Sequence, residues 1–164
     1  MLHIKKGKKR NKMIAKERFY ELRNQQGLIN TEELDEVFNA LEPVSCESIL
    51  GKWKGGDFNT GHKGSAQLKD IKWYGKTFNS LKDAKPLICY NEKGELYSNQ
   101  KWGGEASLWM IEFRGKVSAT MVYDNQPVFD HLRKVNEYTL MGIMNGKDIV
   151  FDNGQYFYFF LERV

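Results

Sequence analysis

Asp130 and His131 stand side by side in an apolar stretch that follows Tyr123-Asp124-Asn125-Gln126-Pro127. The first four of these residues read as a turn, with Asp124 and Asn125 bonding their own backbone. Beyond Pro127 the pattern is that of a strand. Period two puts Asp130 on one face with Val128 and Leu132, and His131 on the other with Phe129 and Val135. Whichever face points inward, one ionisable group lies among apolar neighbours and needs a partner. Arg114 and Arg133 are the candidate partners. Three chemistries fit. Asp130 and His131 form an acid–base pair, with Arg114 or Tyr123 steadying developing charge; or they are the polar end of an apolar pocket; or they only fasten strands together.

Other reaction classes find no support. The histidines are His3, His62 and His131, and none stands at metal-ligand spacing, so no metal site is expected. There is no phosphate-binding glycine loop, dinucleotide fingerprint or nucleophile elbow. Cys46 and Cys89 read as free thiols in a reducing cytoplasm rather than as a bridge.

Aromatic side chains are abundant. In the closing strand Tyr156, Tyr158 and Phe160 share one face and Phe157, Phe159 and Leu161 the other. Both faces are therefore expected to be covered, one by a core and the other by the N-terminal helices. Tyrosines with inward hydroxyls suit a ligand cavity. The candidate ligand-binding set is Trp53, Tyr74, Trp109, Arg114, Tyr123, Asp130, His131 and Tyr158.

These residues need a scaffold. Residues 13–43 read as a helical hairpin. Met13, Ile14, Phe19 and Leu22 share roughly one helical face, and Gly27 is the stop. Asn30 caps the second helix, Glu33 completes a capping-box pattern, and Pro43 follows the last turn. From residue 48 to 164 the period is two. Short strands are divided by turn signals, including Asn145-Gly146 and Asn153-Gly154 as hairpin pairs, with a short helix near 65–70. The polar stretch Asn91–Glu105 reads as a loop able to gate a cavity. Many short strands with few helices between them mean a sandwich or a barrel.

Gly51-Lys52-Trp53-Lys54-Gly55 narrows the choice. Gly51, Trp53 and Gly55 share a strand face, leaving room for a close approach beside the indole. Together with WYGKTF at 73–78, PLI at 86–88, RGKVSATMVYDNQPVFDHLRKV at 114–135 and the closing FYFFLERV, this motif resembles the family named for GXWXG, in which a C-terminal companion domain of unknown function follows. The resemblance implies a mainly β, lipocalin- or calycin-like antiparallel barrel with two N-terminal helices, and no established reaction. The motif is also similar to the GxWxGxG opening of nitrobindin-like haem barrels. Gly56-Asp57 departs from that pattern, and no histidine follows His131, so haem is not expected.

Charge limits the partners. The net +4 arises in residues 1–12, which hold six basic and no acidic residues, whereas residues 13–164 hold 19 basic and 21 acidic ones. A basic disordered tail ahead of one slightly acidic domain is expected, with no specific nucleic-acid partner. No apolar run spans a bilayer and no secretory signal opens the chain, so a cytoplasmic protein is expected. The leading functional expectation is an intracellular barrel that binds a small, largely apolar molecule. A small acid–base enzyme using Asp130 and His131, or a filled interaction barrel, are the alternatives.

Overall fold

A computed structural model describes residues 14–164 of the chain. The basic tail and Met13 lie outside the described residues. Helix α1 spans 14–24 and α2 spans Thr31–Ala40. The strands are β1 (Gly51–Asp57), β2 (Trp73–Ser80), β3 (Asp83–Tyr90), β4 (Leu96–Ser98), β5 (Ala106–Phe113), β6 (Lys116–Tyr123), β7 (Val128–Asn136), β8 (Thr139–Gly146) and β9 (Phe157–Arg163). A third helix, α3 (Lys63–Asp70), joins β1 to β2. All pairings are antiparallel. The order β2-β1-β9-β8-β7-β6-β5-β3 closes through β2–β3, and β4 attaches to β3 outside this ring. The result is a barrel-like sheet with two N-terminal helices.

Two apolar layers follow from the alternation in the strands. Phe157, Phe159 and Leu161 join Trp53, Leu108, Met121 and Leu132 inside the ring. Tyr158, Met141, Ile143 and Val135 face outward under Phe19, Leu22, Leu34 and Phe38 of the helices. The two faces of β9 are thus covered as its sequence requires. On α1 the buried residues are Ala15, Phe19 and Leu22, while Ile14 is exposed.

The hairpin is held at its ends. Asn30 Oδ1 accepts from the Glu32 N–H, but Glu33 turns to Arg18 on α1 instead of returning to the cap. At the C-terminal end of α2, Lys116 Nζ donates to the carbonyls of Asn39 and Leu41. A cation there complements the helix dipole. Asn153-Gly154 is a tight turn with both φ angles positive. Asn145-Gly146 is not a hairpin turn: it ends β8, pairs with β7 and leads into a short 3-10 turn at Asp148–Val150. The expected loop at 91–105 contains β4. Cys46 and Cys89 are buried free thiols. No helix among the described residues is long and apolar enough to cross a membrane.

The motif glycines have separate uses. Gly51 sits at φ +128°. A side-chain carbon at Gly55 would lie 2.1 Å from the Trp73 ring, so the motif's second glycine makes room for Trp73 rather than for Trp53. Trp53 itself is 1% exposed. Its Nε1 donates to the Ile49 carbonyl at 2.7 Å, and the Arg163 guanidinium lies 4.3 Å over its ring. Arg163 also donates to the carbonyls of Leu50 and Ser48. Trp53 therefore closes one end of the sheet.

Candidate functional site

A cavity of about 250 Å³ lies inside the ring. Trp73, Leu87, Val128, Met144, Phe157 and Phe159 form apolar walls; Gly64 and Leu68 of α3, Trp102 and Ile149 stand around it. His62 positions α3. Its Nδ1 accepts from the Gly64 N–H at 2.9 Å, and its Nε2 lies 3.0 Å from the Val150 carbonyl. A carbonyl only accepts, so the proton sits on Nε2.

Inside this cavity Lys76 and Asp130 meet. Lys76 Nζ is 2.9 Å from Asp130 Oδ2, with the two side chains 5% and 3% exposed. Nζ also lies 5.2 Å from the Phe159 ring centre, 5.5 Å from that of Trp73 and 5.8 Å from that of Tyr123. Its remaining contact is a long one, 3.5 Å to the Pro86 carbonyl. Asp130 Oδ1 is buried with no hydrogen-bond partner among the described residues. Burial pushes the Asp130 carboxyl above its usual range, with Lys76 opposing the shift. Burial also raises the Tyr123 phenol, and the nearby Asp130 charge adds to that.

Asp130 and His131 do not form an acid–base pair. Consecutive strand residues point to opposite faces, so His131 lies under the helices. Its ring stacks on Phe113 at 4.0 Å. Asn145 Oδ1 accepts from the Gly146 N–H, which turns the Asn145 amide nitrogen toward His131 Nε2, 3.1 Å away. Nε2 therefore accepts, and Nδ1–H donates to Thr120 Oγ1 at 3.0 Å. Burial, with the charges of Arg133 and Arg114, lowers the imidazole pKa to about 4.

Of the eight expected residues, only Tyr123 and Asp130 line the inner cavity. Arg114 and Tyr158 instead converge on Asp35 Oδ1 of α2, each at 2.7 Å. They fasten the helices to the sheet. Trp109 is 47% exposed, lies under Lys82 and does not reach the cavity. Trp53 and Tyr74 line a second depression of about 380 Å³, rimmed by the exposed side chains of Lys52, Leu96, Tyr97 and Val164. Neither arginine expected to partner Asp130 does so: Arg133 donates to the carbonyls of Phe113 and Leu41. Lys76 was hidden by its residue type, since lysine is ordinarily a solvated one. Its position between Tyr74 and Phe78 on an aromatic strand was the available signal.

Residues 36–94 match the family described as "GXWXG protein", and residues 104–163 match a domain of unknown function, DUF4334. The chain is similar to a protein of known crystal structure from Thermomonospora curvata, at 34% identity and a TM-score of 0.83, over 92% of this chain and 98% of that one. No curated protein matches.

Proposed function

The chain belongs to the GXWXG protein family, and from that premise we propose that it is a binding protein for a small, largely apolar molecule. The observation that carries this reading is the inner cavity: apolar walls with one buried ion pair and one carboxylate oxygen that has no hydrogen-bond partner among the described residues. Small-molecule sites combine apolar walls with a few placed polar groups in just this way. A packed barrel has no need of such a pair, because replacing a buried ion pair by apolar residues is often neutral or stabilising. A volume of about 250 Å³ lies just below the ~300–1,000 Å³ range of ligand pockets. It suits a compact molecule, of one or two rings, rather than a long lipid.

The test is native mass spectrometry of the purified protein, followed by titration with an apolar, environment-sensitive dye. A co-purifying small molecule, or saturable dye binding abolished by Leu68→Trp at the cavity rim, supports the reading. Dye binding that ignores Leu68→Trp, with no co-purifying molecule, overturns it.

A further inference from the structure

We propose that Lys76 captures small apolar aldehydes or ketones as a reversible imine, with Asp130 carrying the proton, an inference that rests on the cavity being a binding site. Lys76 is the buried amine of this cavity. Its Nζ is surrounded by Asp130, Trp73, Tyr123 and Phe159, all of which line the cavity. A guest pressed against those rings is therefore brought close to the nitrogen. Lysine amines act as covalent nucleophiles on carbonyl carbon when they are desolvated in an apolar pocket.

Asp130 supplies what the amine needs. The ammonium is not nucleophilic, so a proton must leave it. Oδ2 sits 2.9 Å away, in hydrogen-bond range for direct transfer. Oδ1 has no competing donor among the described residues, and burial favours the protonated acid. An unpartnered buried carboxylate oxygen calls for an explanation, and a proton carrier provides one. In the reaction the ammonium gives its proton to Asp130. The nitrogen lone pair then attacks the carbonyl carbon, forming the C–N bond as the carbonyl π electrons move to oxygen. A proton passes from nitrogen to that oxygen to give the neutral carbinolamine. Asp130 then returns its proton to the hydroxyl, which leaves as water. The product is an iminium ion facing the Asp130 carboxylate. Charge is unchanged overall, nothing is oxidised, and one water is released.

The experiment treats the full chain with benzaldehyde and sodium cyanoborohydride, whose hydride reduces an iminium to a stable secondary amine. Peptide mass spectrometry then maps the benzyl group. Labelling of Lys76 ahead of the exposed Lys52 and Lys54 is the expected result. Asp130→Asn is expected to slow Lys76 labelling by about 100-fold, the scale of a lost general acid–base group. Because the wild-type map decides the matter, a misfolded variant does not. Benzyl alcohol, which has the ring but no carbonyl, is titrated in parallel by ligand-observed NMR. If it binds in the cavity while Lys76 labels no faster than the surface lysines, imine capture is overturned and the binding reading stands. If it does not bind and Lys76 is unlabelled, both fall.

Discussion

The imidazole of His131 and the ring of Phe113 lie 4.0 Å apart and within 6° of parallel. A histidine held in this dry stack resists protonation, and its pKa of about 4 is below the ~6.5 of an unfolded chain. The unfolded state therefore binds the extra proton first. Stability from His131 is full above about pH 6.5 and is lost as pH falls through 4, on the order of 3 kcal/mol in all. His62, also shifted downward by burial, adds in the same direction. Urea unfolding at pH 7.5 and pH 4.5 measures the loss. In His131→Phe the difference between the two pH values shrinks. That variant is also weaker at pH 7.5, by about 1–3 kcal/mol, because the Asn145 amide loses its acceptor.

Lys76 and Asp130 make a second, thermodynamic prediction. Lys76→Met alone leaves a buried carboxylate without its cation, at a cost of about 3–5 kcal/mol. The double variant with Asp130→Leu removes both charges and recovers most of that loss. Additive losses, with the double variant destabilised by the sum of the two single variants, would show that the pair is not energetically coupled. Denaturant midpoints of the four proteins decide it.

Asp35 separates scaffold from site. Asp35→Ala frees Arg114 and Tyr158 together and costs about 1–3 kcal/mol. Neither residue lines the cavity, so dye affinity stays within about two-fold of wild type, as expected for sites without shared partners. A large affinity loss in a folded Asp35→Ala protein would place the helix layer in the binding site.

Trp53 is a stability residue. Trp53→Ala costs about 3–5 kcal/mol, the usual penalty for emptying a large aromatic site. Gly55→Ala acts on the cavity instead, because the added methyl displaces the Trp73 ring. It lowers dye affinity as well as stability, and comparing the two variants by thermal melt and titration distinguishes a closing residue from a wall.

The frame of the molecule was readable from its pattern. Alternation placed Phe157 and Phe159 opposite Tyr158, and helical spacing placed Phe19 and Leu22 on one face of α1, where both are buried. What alternation does not state is which face is the inside, nor which strands meet across a ring. Lys76 comes from β2 and Asp130 from β7, strands that are not ladder neighbours, and only closure of the sheet brings them together. Arg114 misled for a related reason. It is rich in contacts, but they run outward to Asp35 and to the rings of Phe113 and Tyr156. Trp109 shows that an aromatic residue on a strand carries no information about depth until its neighbours are known.

The ring of strands has one sparse seam. β5 meets β6 through eight residue pairs but registers with β3 only at Ala84 and Ala106. Beyond that rung β3 turns its edge to β4, and the chain between β4 and β5 sets Trp102 against the cavity, with Trp102, Gly103 and Gly104 all at positive φ. A guest passing this seam would break few ladder bonds. On the proposed binding role, uptake and release through this seam would be decoupled from global unfolding: variants that weaken the rest of the sheet would shorten the lifetime of the fold without hastening exchange of the guest. Trp102→Ala does the reverse, speeding exchange in stopped-flow dye release while the melting temperature holds.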